Sequence, residues 1–181
     1  TDSAGVLRFM QDHAWLPPLG GIVVPEPTGL AVVTAHRGLF WLKITTKGKA
    51  VHSSMAERGV NAIGSMKRVL DELERYRIDH PPHPQLGRST MSINTICGGE
   101  ALNIVPERCI LGVDIRTLPG QDPEAIRYDF ERILAQLTAT VPQFEAHLAV
   151  ERWAGAMETD PECDFVQAFC AAVEVNLTNA I

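Results

Sequence analysis

The residue types best suited to chemistry lie in a few short stretches. Thr46-Lys47-Gly48-Lys49-Ala50-Val51-His52-Ser53-Ser54 closes a strand-like run and opens onto a helical one. A histidine followed by two serines at such a junction stands in a loop, where a polar side chain can reach a ligand. An imidazole N–H there can steady charge on a developing oxyanion; the alternative is a surface histidine in a turn. Glu26 sits between Pro25 and Pro27, just past the apolar run Ile22-Val23-Val24. Ligands gather at the carboxyl ends of strands in open α/β sheets, so this carboxylate is placed for chemistry or is an exposed turn residue. Asn103 follows Gly98-Gly99-Glu100-Ala101-Leu102 between two strand patterns, where its amide can face a ligand. Gly98 and Gly99 permit close backbone approach or a positive φ. Arg116 shares a strand face with Asp114. Its planar fork suits a substrate carboxylate, and the alternative is an ion pair with that neighbour or across the sheet. His80 and His83 flank two prolines that hold the chain extended, which makes convergent metal ligation awkward; a stiff exposed loop is expected.

Elements must position these residues. A helix capped by Thr1 or Asp2 is expected to about His13, ended by Trp15-Leu16-Pro17-Pro18-Leu19-Gly20-Gly21. Ile22-Val23-Val24 reads as a strand buried on both faces, as in a parallel sheet. Residues 31–35 read as another strand, with His36-Arg37-Gly38 as a linking turn. From Leu39 the apolar residues alternate, Phe40, Leu42 and Ile44 against Trp41, Lys43 and Thr45, which marks a half-buried strand. A helical pattern takes over from Met55, and from Gly59 Val60, Ile63, Met66, Leu70 and Leu73 form its stripe, ending near Arg77. Two alternating strands follow over 91–97 and 109–116, joined by 98–106 as an antiparallel hairpin. Met91, Ile93, Thr95 and Cys97 are expected on one face of the first, Ser92, Asn94 and Ile96 on the other. Asp122 caps a second helix with Pro123 at its first position, burying Ile126, Phe130, Ile133, Leu134 and Leu137. Residues 144–151 alternate as a last strand.

The order strand, helix, strand, strand, helix, strand predicts an α+β, ferredoxin-like fold: a four-stranded antiparallel sheet with two helices on one face. A final helix opening at Asp160-Pro161, with Phe165, Phe169 and Val173 in line, has nowhere to bury its apolar surface inside that unit. Residues 37–152 are thus expected to be one domain. Residues 1–36 and 153–181 are expected to be partial α/β segments of the domain into which it is inserted. The chain begins and ends inside helix-like patterns, as a fragment of a longer protein would.

With 181 residues, 45% hydrophobic and 21% charged, the chain has ordinary globular composition. A formal charge of -6 and the absence of any basic run give nucleic-acid binding no support. No apolar stretch approaches the ~20 residues that cross a bilayer. The four cysteines contain no C-x-x-C pair, and Cys97 and Cys109 fall in strand patterns as small buried hydrophobes. Neither a disulfide framework nor a structural zinc site is expected, and a reducing cytoplasm fits.

Taken together, Glu26-Pro27-Thr28-Gly29, His52-Ser53-Ser54, Gly59-Val60-Asn61-Ala62-Ile63, Gly98-Gly99-Glu100-Ala101-Leu102-Asn103-Ile104-Val105-Pro106 and Asp114-Ile115-Arg116 resemble a known family. It is that of the zinc-dependent deacylases and aminopeptidase-like enzymes, which includes acetylornithine deacetylase and succinyl-diaminopimelate desuccinylase. The resemblance runs from about Glu26 to Leu118. It implies a parent amidohydrolase, deacylase or metallopeptidase that acts as a homodimer on N-acyl amino acids or related peptides with two zinc ions. It implies that Glu26 is a zinc ligand, although Pro25 stands where glycine is expected. It implies that His52 sits on the dimerisation (lid) domain and acts in the partner subunit's active site, and that Asn103, Arg116, Gly98 and Gly99 contact substrate. The chain has no H-x-D motif, no Glu-Glu pair and no late ligand histidine. The isolated polypeptide is therefore expected to hold no metal pair and to hydrolyse nothing. The alternative is a non-catalytic dimerisation or interaction module that uses an unpaired edge strand.

Overall fold

A computed structural model describes residues 4–13, 17 and 19–173. They form two compact units, one spanning Val33–Thr159 and the other comprising the described residues up to Val32 and from Asp160. In the smaller unit, helix α1 (Ala4–Asp12) ends where the His13 backbone N–H donates to the Phe9 carbonyl at 3.0 Å. The expected cap residues Thr1 and Asp2 lie outside the described residues. Residues 22–24 are not the buried strand expected of them: Ile22 is 72% exposed, and no described strand pairs with this run. A continuous apolar run becomes a strand only where neighbours satisfy its backbone groups.

The larger unit carries the sheet. The strand expected over 31–35 is only the two-residue β1 (Ala35–His36), so His36 belongs to a strand rather than to a turn. β2 (Leu39–Lys47) buries Phe40, Leu42, Ile44 and Thr46, every second residue. A short 3₁₀ helix (Ser53–Arg58) occupies the stretch after His52, and α2 (Ala62–Arg75) follows it. Helix α2 starts at Asn61 because that side chain accepts the Gly64 N–H at 3.1 Å. Its buried face is Ala62, Ser65, Met66, Val69 and Leu73, while Ile63 stays 42% exposed. The expected stripe is thus rotated, with Val69 facing the core more fully than Leu70.

The hairpin strands are β3 (Thr90–Gly98) and β4 (Arg108–Arg116). Helix α3 (Pro123–Thr140) begins at Asp122, whose Oδ1 accepts the Glu124 N–H at 2.9 Å. β5 (Glu145–Ala154), β6 (Met157–Glu158) and α4 (Asp164–Val173) complete the described elements. The main sheet is antiparallel in the order β3-β4-β2-β5, and β1 pairs with β6. Phe40, Leu42, Ile44, Leu111, Val113 and Ile115 meet Met66, Val69 and Leu73 of α2 and Ile126, Phe130 and Leu134 of α3. Each large side chain buried this way contributes about 1.5–3 kcal/mol relative to exposure. Both helices cover one face, as the element order predicts.

Two departures matter for the edge strand. Directly opposite residues share a face, and β3 pairs Met91 with Ile115, Ile93 with Val113, but Thr95 with Gly112 and Ile96 with Leu111. A bulge at Asn94 inserts one residue and reverses the phase. Ile96 therefore joins Met91 and Ile93 on the helix side, and Thr95 and Cys97 turn to the open face. Because β3 lies at the sheet edge, Cys97 is exposed rather than buried; Cys109 is buried. Among the described residues no helix is long and apolar enough to cross a membrane.

Candidate functional site

Two loops meet at one end of the sheet. Past Lys47 the chain keeps pairing with the segment leading into β4. Gly48 N–H donates to Glu107 O at 2.8 Å, Val105 N–H to Val51 O at 2.9 Å, and Ser53 N–H to Asn103 O at 2.9 Å. The Ser53 hydroxyl donates to Leu102 O at 3.3 Å. Lys49 and Val60 exchange backbone bonds of 2.8 and 3.1 Å, which folds the loop back towards α2. Gly48 is required at this crossing, since a Cβ there would lie 2.1 Å from Val60 O and 2.9 Å from Pro106 O.

His52 is held opposite Ile104 in a single antiparallel bridge and caps the 3₁₀ helix. Its Nδ1 accepts the Ser54 backbone N–H at 3.2 Å and lies 2.8 Å from Ser54 Oγ. The ring is exposed, as is Asn103 on the adjoining loop. The fold thus brings His52 and Asn103 side by side. Gly98 lets the hairpin close, because a Cβ would sit 2.9 Å from Cys109 Sγ. Gly99 turns the chain with φ +83. Both glycines shape the loop that carries Asn103.

Arg116 is not brought to this cluster. It ends β4 at the far end of the sheet, and eight steps of about 3.4 Å put it roughly 27 Å from Arg108. Its Nη2 donates to Asp114 Oδ2 at 2.9 Å, and the side chain remains 47% exposed. The other Asp114 oxygen is buried without a partner among the described residues. Beside this pair the open sheet face forms a shallow groove over Gly112, walled by Trp41, Lys43, Thr95 and Glu151. The Arg152 guanidinium lies 5.6 Å from the Trp41 ring centre. Nothing in the alternation of β2 and β4 marks this groove. It exists because Gly112 leaves no side chain on the open face, where a Cβ would fall 2.3 Å from Thr95 Oγ1.

Glu26 lies in the smaller unit, exposed, with its carbonyl accepting the Thr28 N–H at 2.7 Å. No described group of three His, Cys, Asp or Glu side chains could hold a metal. One exposed carboxylate cannot by itself hold a zinc pair, which needs several convergent ligands. His83 departs from the expected exposed loop: its side chain is only 9% exposed. Its Nδ1 accepts the Gln85 and Leu86 N–H groups at 3.2 Å each, and its Nε2 lies 2.9 Å from Glu158 Oε1. It braces the strand pair β1–β6.

Comparison with known proteins adds the following. The family model described as a peptidase dimerisation domain matches residues 34–142. Acetylornithine deacetylase of Myxococcus xanthus is 31% identical over 157 residues, covering 83% of this chain and 41% of that protein. A probable succinyl-diaminopimelate desuccinylase of Staphylococcus epidermidis is 25% identical over 175 residues, covering 80% and 43%. A tripeptidase crystal structure from Staphylococcus aureus shares the fold with a TM-score of 0.57 at 20% identity, over 82% of this chain and 40% of that one. The aminobenzoyl-glutamate utilization protein of Klebsiella pneumoniae does so with a TM-score of 0.60 at 20% identity, over 89% and 40%. The chain thus spans less than half the length of these relatives.

Proposed function

Since the chain belongs to the peptidase dimerisation domain family, we propose that it is the lid portion of a zinc-dependent amidohydrolase. That enzyme cleaves the amide bond of N-acyl amino acids or related peptides as a homodimer. The residues before 33 and after 159, outside the sheet-bearing unit, belong to its catalytic domain. His52 donates a hydrogen bond to the oxyanion of the tetrahedral intermediate, Asn103 holds the acyl or amide group beside it, and Arg116 grips the substrate carboxylate through its planar fork. Glu26 contributes one carboxylate to the metal site. The pair of ions needs further ligands, and this chain's share in their chemistry ends with that carboxylate.

The observation that carries the reading is the separation of Arg116 from the His52–Asn103 loop, with the edge of β3, unpaired among the described residues, between them. Edge strands invite pairing. A two-fold β3–β3 pairing centred near Asn94 would set Gly98 of one protomer against Thr90 of the other. Thr90 itself pairs with Arg116. Two strand spacings of about 4.8 Å then separate the hairpin end of one protomer from the partner's Arg116, roughly 10 Å instead of roughly 27 Å. Ile96, 55% exposed, and Ile63, 42% exposed, offer apolar surface along the same edge.

Subunit mixing in the complete enzyme tests this. His52→Ala and Glu26→Ala proteins, each inactive alone, should regain activity when mixed, because the heterodimer holds one intact site. Activity that stays absent after verified subunit exchange would sink the trans assignment. A non-catalytic module would instead tolerate His52→Ala with no change in any turnover.

A further inference from the structure

We infer that Ser54 is a positioning residue for His52, fixing the imidazole as the Nε2–H tautomer and aiming that proton outward. The inference rests on the reading of His52 as an oxyanion donor. It begins with a constraint on the hydrogen: a backbone amide can only donate, so the Ser54 N–H at 3.2 Å requires Nδ1 to be an acceptor. A neutral ring that accepts at Nδ1 carries its proton on Nε2. The Ser54 hydroxyl, 2.8 Å from the same nitrogen, supplies a second and shorter donor. Among the described residues Nε2 has no partner, so its N–H is left for a ligand. An exposed imidazole without these contacts would turn about its side-chain bonds and lose entropy each time it met substrate. The backbone makes the arrangement rigid. Ser53 is bonded through both N–H and hydroxyl to the Leu102–Asn103 loop, so the residue bearing the lock cannot drift from the residue that receives substrate.

The two serines thus divide the work. Ser53 ties the histidine loop to the Asn103 loop, and Ser54 sets the ring. Groups that orient a metal-ligating histidine from behind typically change affinity or activity 10- to 100-fold when removed, and an oriented oxyanion donor is expected to respond on the same scale. Ser54→Ala leaves the backbone donor in place, so the lower end is expected.

The test has two arms. In ¹⁵N-labelled 181-residue chain, long-range ¹H–¹⁵N correlation should show His52 protonated at Nε2. Ser54→Ala keeps the backbone donor but loses the shorter hydroxyl contact, so it should broaden the ring signals, and Ser54→Thr should restore the native pattern. In the complete enzyme, Ser54→Ala should lower kcat about tenfold with KM nearly unchanged, and Ser54→Thr should recover most of the loss. A native proton on Nδ1, or a Thr variant as impaired as the Ala variant, overturns the inference. An unaltered kcat in His52→Ala would overturn the functional reading by itself, and the spectrum distinguishes that outcome because it needs no activity.

Discussion

At the scale of single residues, the site is built by glycines as much as by polar groups. Gly48 and Gly99 look alike in sequence but do different jobs. Gly48 is needed for space, since a Cβ would meet Val60 O at 2.1 Å with two further backbone atoms within 2.9 Å. Gly99 is needed for its φ of +83, while a Cβ there would make ordinary contacts at 3.6 Å. Gly99→Ala should therefore cost about 1–2 kcal/mol, the penalty of left-handed backbone for an L-residue. Gly48→Ala should cost more, about 3 kcal/mol or above, because backbone has to move. Urea unfolding of the two variants checks the order, and equal losses would refute it. That His52 and Asn103 stand in exposed loops was legible, because a run of unlike polar and small residues between two periodic segments has no packing explanation. Arg116 was legible as either a ligand group or an ion pair, and its bond to Asp114 does not prevent its exposed fork from serving a ligand too. His83 was not legible. Its Nε2 partner is Glu158, which lies far along the chain and is held there by the pairing of β1 with β6.

At the scale of elements, β2, β4 and α3 could be read directly, because a covered face imposes its period and Asp122-Pro123 marks a helix start. β3 could not. Its alternation continues past Asn94 in the sequence, and only the pairing with β4 exposes the extra residue that reverses the faces. Residues 22–24 fail for the complementary reason, that a strand depends on partners its own sequence does not encode. The rotated face of β3 yields a prediction. Ile96→Lys should weaken dimerisation at least tenfold in sedimentation equilibrium, while the urea midpoint of the folded protomer shifts little, because Ile96 is already half in water. A second concerns the helices. Tyr76 donates to Asp129 Oδ2 at 3.1 Å and packs edge-on to Phe130 at 5.3 Å, linking α2 to α3. Burial, and then the Asp129 carboxylate, push its phenol well above the ordinary value of 10.0. Above pH 10 the unfolded chain gives up this proton while the folded one keeps it. The unfolded state then binds fewer protons, so stability falls as pH rises. Tyr76→Phe should flatten the decline in urea midpoint between pH 9.5 and 11, and an unchanged slope would falsify the assignment.

At the scale of the whole molecule, the larger unit is closed where the chain enters and leaves it. β1 pairs with β6 through Ala35–Glu158 and His36–Met157, and Thr159 N–H donates to Thr34 O at 2.7 Å. Gly38 and Thr117 exchange backbone bonds of 3.0 and 3.3 Å, and Arg37 donates to the Leu86 carbonyl. Leu86 in turn shares a small buried cluster with Ala35 and Leu118. Two ends held side by side are what a domain needs in order to be inserted into another without stretching either, and they allow it to fold independently. The main core lies wholly within this unit, so its folding should not depend on Glu26 or on any metal. Excised residues 33–159 should therefore unfold in one cooperative urea transition whose midpoint is insensitive to zinc and to chelator. His83→Ala should destabilise this unit by about 1–2 kcal/mol, since it leaves the part-buried Leu86 amide without its acceptor. If chelation moved the midpoint of the excised unit, a metal site would have to lie inside it. The division of labour proposed for lid and catalytic segments would then be wrong.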